Sequence, residues 1–271
     1  MADARTPRIH PTAVIAPEAE LADNVQVGPY VVIEGRVEIG SGCVLHPHAY
    51  LCGPLKMGCG NAVFTGAVLG ERPQHLHYKN EPTIVEIGDE NIFREHVTVH
   101  RGTAQSGKTQ IGSRNFFMAG SHVAHDCRIG NGCILANGAL VGGHCVIEDG
   151  AYLSGNCAIH QFVRVGRLAL LSGVSATTKD IPPFIVQQRI NCVVGINVVG
   201  MRRAGMTQAQ INAVRHAFHV LYRQGQTIPT ALDHLEKELG GIDAVAEMIT
   251  FIRQSTRGIS VVDEHNHGAA A

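Results

Sequence analysis

Between residues 122 and 161 the chain gathers groups that can move protons. His122, His125, Asp126, His144 and His160 lie there, with Gly143 and Gln161 among them. An imidazole titrates near neutrality and can take a proton from a hydroxyl. A carboxylate beside it can hold one tautomer and stabilise the imidazolium. A glycine leaves its backbone N–H open to approach, which suits the oxyanion of an acyl-transfer intermediate. No Ser or Cys is obviously paired with a histidine as nucleophile, so direct attack by an acceptor on an activated acyl group is the simpler chemistry. Taken singly, each of these residues could be a solvated turn group. His10, His46, His48, His216, His219, His234, His265 and His267 read as surface residues.

The elements that must position this cluster are visible in a six-residue period. Every sixth residue from Ile9 to Leu69 is apolar, and the register resumes at Ile87, Phe93 and Val99 and again from Ile111 to Leu171. In all, 25 of 28 such positions are apolar in a chain that is 45% hydrophobic, so the register is not chance. The exceptions, His75, Glu81 and Gln105, fall in polar stretches 71–82 and 101–109, which read as loops extruded from a coil. The second position of the hexad is often glycine. The fifth is small or β-branched and holds Cys43, Cys127, Cys133, Cys145 and Cys157. This pattern predicts a mainly β fold, a solenoid of hexapeptide repeats with three hexads per coil and parallel strands about 4.8 Å apart. Residues 18 apart then stack. Gly143 lies over His125, with Gln161 beyond it, and His144 lies over Asp126, with Phe162 beyond it. The scattered histidines thereby become one site on a turn.

Pro182-Pro183 ends the register. Beyond it the period becomes helical. Thr207-x-x-Gln210 reads as a capping box before Ile211, Val214, Phe218 and Leu221, with Gly225 as a stop. Leu232, Leu235 and Leu239 predict a second helix, and Val245, Met248, Ile249 and Ile252 a third. The domain expectation is therefore a solenoid over 1–190, a helical domain over 191–258 and a disordered tail over 259–271.

Composition agrees with a narrow repetitive core: Trp is absent, aromatics are 5% and there are 31 glycines. A net charge of −1 gives no footprint for nucleic acid or an acidic membrane. The N-terminus has no apolar leader segment and no run of 18 apolar residues occurs, which predicts a cytoplasmic protein without an integral membrane segment. None of the eight cysteines forms C-x-x-C, so they read as reduced core fillers, with no metal or cofactor expected.

The segments VAHDC (123–127), ILANGALVGGH (134–144) and AIHQF (158–162) closely resemble the UDP-N-acetylglucosamine O-acyltransferase family. So do HRGT (100–103), NEPTIVEIGD (80–89), GINVVGMRRAG (195–205) and RQSTRG (253–258). The resemblance implies a left-handed parallel β-helix followed by a C-terminal α-helical domain, assembled as a homotrimer with active sites between subunits. It implies transfer of a 3-hydroxyacyl chain from acyl carrier protein to the 3-OH of UDP-N-acetylglucosamine, in lipid A biosynthesis. Carried over by residue, His125 would be the general base, Asp126 its orienting partner and the Gly143 N–H the oxyanion donor. His122, His144, His160 and Gln161 would line the cleft, and Gln74 would contact the sugar. Asn197 and Arg203 would reach the nucleotide, and Gly173 would leave the acyl-length groove open to a long chain.

Two departures bear on the acceptor. The family loop often reads Q-D-L-K-Y, whereas here it is Gln74-His75-Leu76-His77-Tyr78, which puts His75 and His77 at substrate-binding positions. Val199 and Ala204 replace a common Glu and Arg. Loss of charge around the sugar leaves open a 3-amino UDP-sugar acceptor, which would give an amide. More distant alternatives are an N-acyltransferase of the same pathway, whose extra N-terminal domain is missing because the hexads begin at Ile9, and a γ-type carbonic anhydrase. The last needs three histidines on zinc, and a histidine pair five apart is not found in the solenoid. A non-catalytic solenoid would show ranks of Thr, and Thr is sparse.

Overall fold

A computed structural model describes residues 8–262. Each hexad supplies one short strand, and strands three hexads apart pair in parallel, with Arg8 opposite Gln26, Val14 opposite Val32 and Glu20 opposite Glu38. The result is a three-sided solenoid. Face 1 is a sheet of 12 strands beginning at Arg8–Ile9, face 2 has 9 beginning at Val14–Ile15, and face 3 has 8 beginning at Glu20–Leu21. Two insertions interrupt the 18-residue register. Ala62 pairs with Ile92, 30 residues on, and Ile92 with Phe116, 24 on. Both excesses are multiples of six, so the hexad count survives them. The loops themselves are shorter than the polar stretches. Glu71 stays in its strand, paired with His100 across a bulge, and Lys108 and Thr109 already pair with Ile84 and Val85.

First-position side chains fill the interior; Leu45, Leu51, Leu135 and Leu153 are wholly or almost wholly buried. The five fifth-position cysteines are buried beside them, and all eight cysteines carry free thiols. Where the fifth position is asparagine the side chain is paired along the stack. Asn61 Oδ1 accepts from Asn91 Nδ2 at 3.0 Å, and Asn91 Oδ1 from Asn115 Nδ2 at 2.9 Å. This ladder satisfies amides that would cost free energy if left alone in the core.

The residue just before each inward one points outward, and the three faces differ there. Face 3 carries Glu38, Lys56, Glu86, Gln110 and Arg128, cross-linked by Lys56–Glu38 at 2.9 Å and Lys108–Glu86 at 3.0 Å. Face 2 presents Val14, Val32, Tyr50, Val68, Thr98, His122, Leu140, Ala158 and Ala176, with no Asp, Glu, Lys or Arg. Face 1, beyond Arg8 and Gln26, presents Val44, Ala62, Ile92, Phe116, Ile134, Tyr152 and Leu170. Two adjacent faces of three are thus apolar on the outside.

The hairpin Ile185–Gln188 with Cys192–Ile196 closes the solenoid with an antiparallel pair. Four helices follow among the described residues: α1 (Val198–Arg203), α2 (Gln208–Arg223), α3 (Ile228–Leu239) and α4 (Asp243–Arg253). Thr207 and Gln210 form the expected capping box on α2, and Gly225 takes φ 67° just past its end. Helix α1 was not expected from the periodicity; six residues are too few to show a helical repeat. The tail expectation is corrected at its start. Ile259 and Ser260 are buried, and Val261–Val262 pairs in parallel with Cys192–Val193. This short strand covers the edge that the hairpin would leave open. Residues 263–271 of the expected tail lie outside the described residues.

Candidate active site

The turn after face 2 builds the site. His125 is 4% exposed, and its Nδ1 lies 2.7 Å from Asp126 Oδ2. Asp126 takes φ 62°, a left-handed conformation that an L-residue adopts at a cost. It is held there by its own N–H, which donates to Thr109 Oγ1 at 2.8 Å. Its carboxylate also accepts from Thr103 N–H at 2.9 Å, Thr103 Oγ1 at 2.8 Å and the Ser106 hydroxyl. Burial would push the carboxyl up, but the bonds from His125, Ser106 and Thr103 outweigh it and hold the group well below the usual carboxylate range. Asp126 is therefore an anion at neutral pH. A carboxylate in this place favours the His125 tautomer with its proton on Nδ1, which turns Nε2 away from Asp126 as an acceptor.

Gly143 lies directly over the ring. A Cβ built on it would sit 2.6 Å from His125 Cε1 and 2.9 Å from Nε2, so only glycine leaves room for the imidazole. The Gly143 N–H meets no acceptor among the described residues. The turn explains this. Gly143 occupies the third position of its hexad, where Pro11, Pro17, Pro29 and Pro47 stand in earlier coils, and proline has no N–H to pair. An unpaired donor beside the imidazole is thus a product of the repeat.

Other imidazoles surround this centre. His144, also left-handed at φ 61°, sets its ring edge-to-face on His125 at 5.1 Å and stacks on Phe162 at 4.4 Å. Its Nε2 lies 3.5 Å from Asp126 Oδ2. Burial holds His144 below the usual histidine range, against the pull of Asp126. The 72–83 loop folds back so that His75 meets His125 edge-to-face at 5.2 Å, with His77 at 5.8 Å from His75. Gln74 and His77 are exposed on that loop. His122 accepts or donates at Nδ1 to Thr98 Oγ1 at 2.7 Å and is lowered by burial and by His125. Beside it stands His100, which sequence reasoning noted only within a motif. It is 5% exposed, and burial pushes it down to about 4.

The remaining expected residues lie elsewhere. His160 and Gln161 are exposed two coils beyond His125; His160 Nδ1 is 3.1 Å from the Gln161 carbonyl and 3.4 Å from Arg257. Asn197 is engaged within the fold. Its Oδ1 accepts from Gly200 N–H, capping α1, and its Nδ2 donates to the Leu168 carbonyl at 2.8 Å. Arg203 is exposed at the end of α1, Val199 is 58% exposed on it, and Ala204 caps it. Gly173 sits over Gly155 on the turn after face 1, not on the His125 turn. A groove of about 1240 Å³ runs along face 3 past Glu38, Lys56, Arg128 and Glu247 and does not include His125.

His125, Asp126 and His144 also bring ligand atoms within 4.8 Å of one another. A γ-type carbonic anhydrase centre needs three imidazoles, and this group has two, on a carboxylate already bonded to Thr103 and Ser106. The arrangement fits proton transfer at Nε2 next to an oxyanion donor.

Known proteins place the same elements together. Residues 180–260 match the family model for UDP-N-acetylglucosamine O-acyltransferase domain 2, and 18–53 and 108–143 match the bacterial transferase hexapeptide model. The acyl-[acyl-carrier-protein]–UDP-N-acetylglucosamine O-acyltransferase of Halorhodospira halophila is 43% identical over 93% of this chain and 98% of its own. Among solved structures, LpxA from Bacteroides fragilis superposes with a TM-score of 0.90 at 40% identity, over 93% of this chain and 99% of its own. LpxA from Acinetobacter baumannii gives 0.90 at 39%, over 94% and 99%. The solenoid is accordingly a left-handed β-helix.

Proposed function

The chain belongs to the acyl-[acyl-carrier-protein]–UDP-N-acetylglucosamine O-acyltransferase family of lipid A synthesis, and from that premise we propose that His125, Asp126 and Gly143 carry its acyl transfer. The observation behind this is the buried His125–Asp126 pair under the unpaired Gly143 N–H. His125 Nε2 takes the proton of the sugar 3-OH as that oxygen attacks the thioester carbon of a 3-hydroxyacyl group on acyl carrier protein. The carbonyl electrons move onto oxygen, where the Gly143 N–H stabilises them. Collapse of the tetrahedral intermediate breaks the C–S bond, and the proton on Nε2 passes to the departing thiolate. Asp126 supports the imidazolium throughout and does not itself take up the proton.

His122, His144, His160 and Gln161 line the substrate cleft in this reading. Gln74, His75 and His77 meet the sugar from the loop. Arg203 meets the diphosphate, and Asn197 acts by capping the helix that carries Arg203. Gly173 bounds the acyl groove. It stands on a different edge from His125, and only a neighbouring subunit can bring the two edges together. The apolar outer ranks of faces 1 and 2 support that assembly. Contact of face 1 of one subunit with face 2 of the next is heterologous and closes a ring, here a homotrimer. No helix among the described residues is long and apolar enough to cross a membrane. A cytoplasmic setting agrees with eight free thiols and with acyl carrier protein as donor.

The test is mass spectrometry of the product made from a panel of 3-hydroxyacyl carrier-protein thioesters with UDP-N-acetylglucosamine or its 3-amino analogue. Ester formation on the 3-OH is expected, with long chains favoured by Gly173. A strong preference for the amine would move the acceptor assignment to the analogue. Absence of both products would remove the reading.

A further inference from the structure

Two hydroxyl residues converge on one carboxylate, and both come from the short insertion that follows His100. Thr103 donates its N–H and its hydroxyl to different oxygens of Asp126, and Ser106 donates its hydroxyl. Thr109, in the strand that follows the insertion, accepts the Asp126 N–H. The insertion is itself tightly closed. Gly107 N–H donates to the Thr103 carbonyl at 2.8 Å, and a Cβ on Gly102 would lie 2.4 Å from Lys108 N. Thr103 is 8% exposed and the Asp126 side chain 0%. The Thr103 and Ser106 bonds to Asp126 do not follow from coil stacking. They span 20 to 23 residues rather than 18, and depend on the extra hexad.

We propose that the 102–107 insertion is a clamp for Asp126, and that Thr103 and Ser106 are positioning residues which keep the His125 partner charged and fixed. The proposal rests on the reading of His125 as the base. Its physical content is as follows. A buried carboxylate without donors drifts toward its neutral form, and a protonated Asp126 can no longer hold His125 with its proton on Nδ1. The groups that face Asp126 are His125 and His144, with Cys127 next in the chain. His144 lies at 3.5 Å and offers no substitute for three short bonds. With the clamp intact, Asp126 stays charged across the working range. With the Thr103 and Ser106 hydroxyls removed, only the Thr103 N–H and His125 still bond its carboxylate, and Asp126 titrates closer to that range.

The experiment measures kcat, KM and the pH profile for Thr103→Val, Ser106→Ala, the double variant and Thr103→Ser, beside His125→Asn, all as full-length protein. The double variant should lose about 30- to 100-fold in kcat with KM for UDP-N-acetylglucosamine within threefold. Toward acid its log kcat should fall with a steeper slope than that of wild type, because Asp126 is no longer held so far below the usual carboxylate range. Thr103→Ser keeps both donors and should return most of the rate. The downfield Nδ1–H proton resonance of His125 gives a readout independent of turnover. It should persist in wild type and Thr103→Ser and broaden or vanish in the double variant. A double variant with wild-type kcat, slope and resonance overturns the clamp, even if His125→Asn is inactive. An active His125→Asn overturns the base assignment instead, and leaves the resonance as the test of the clamp.

Discussion

Replacing Gly143 by alanine perturbs the proposed centre with one carbon atom. The backbone at 143 is outside the left-handed region, so alanine can adopt it without strain. The new methyl would sit 2.6 Å from His125 Cε1, 2.9 Å from Nε2 and 3.1 Å from Nδ1. Carbon atoms in good contact lie about 3.5–4.0 Å apart, so ring and methyl must separate by roughly 1 Å. The ring has little room to comply. Asp126 holds Nδ1 at 2.7 Å, and His75 and His144 pack against it at 5.2 and 5.1 Å. Either the His125–Asp126 bond lengthens or the 143 N–H turns from the position of the oxyanion. A 1 Å misplacement costs on the order of 10²-fold, and loss of one oxyanion donor about 10²–10³-fold. The expected result is a kcat lowered by about 10²–10³-fold with KM for UDP-N-acetylglucosamine within a few-fold. Overpacking of this kind destabilises by about 1–3 kcal/mol, so thermal unfolding should shift by only a few degrees. Steady-state kinetics and a melting curve on the same preparation give both numbers. A variant within threefold of wild-type kcat would refute the account of Gly143 as both wall and donor.

Two further outcomes follow from other parts of the molecule. Leu140→Glu on face 2 and Ile134→Glu on face 1 should break the trimer and with it the activity, whereas Val146→Glu on face 3 should leave the mass unchanged. Light scattering on a sizing column checks this, and a wild-type monomer, or three variants of equal mass, would count against the assembly. His100 is buried and lowered to about 4, so the unfolded chain binds its proton first and stability falls as pH drops from about 6.5 toward 4. Between pH 7.5 and pH 5 the loss is about 2 kcal/mol, and His100→Gln should remove most of it in urea titrations at the two pH values. An unchanged difference would show that the acid sensitivity lies elsewhere.

The solenoid was legible because its period is exposed by the core itself. One inward residue in six is apolar, and the 18-residue stack placed Gly143 over His125 and His144 over Asp126, as the structure has them. What stayed hidden depends on contacts outside that stack. The edge-to-face meeting of His75 with His125 spans 50 residues through an extruded loop. The hold of Thr103 and Ser106 on Asp126 likewise comes from an insertion whose residues have no register of their own. Asn197 suggested a ligand contact by its family resemblance, yet its amide is used as a helix cap, because the six-residue α1 gave no helical pattern to reveal it. The apolar outer ranks were available in the sequence all along. They lie one residue before each core position, on two faces of three, and become visible only when hexads are sorted by face.

The most direct test of the central claim is the rate of acyl transfer from 3-hydroxyacyl carrier protein to UDP-N-acetylglucosamine by His125→Gln, measured alongside its circular dichroism. Loss of the Nε2 base should lower kcat by at least 10³-fold while the β-helix spectrum stays that of wild type. A correctly folded His125→Gln that turns over within tenfold of wild type would contradict the assignment of His125 as the base.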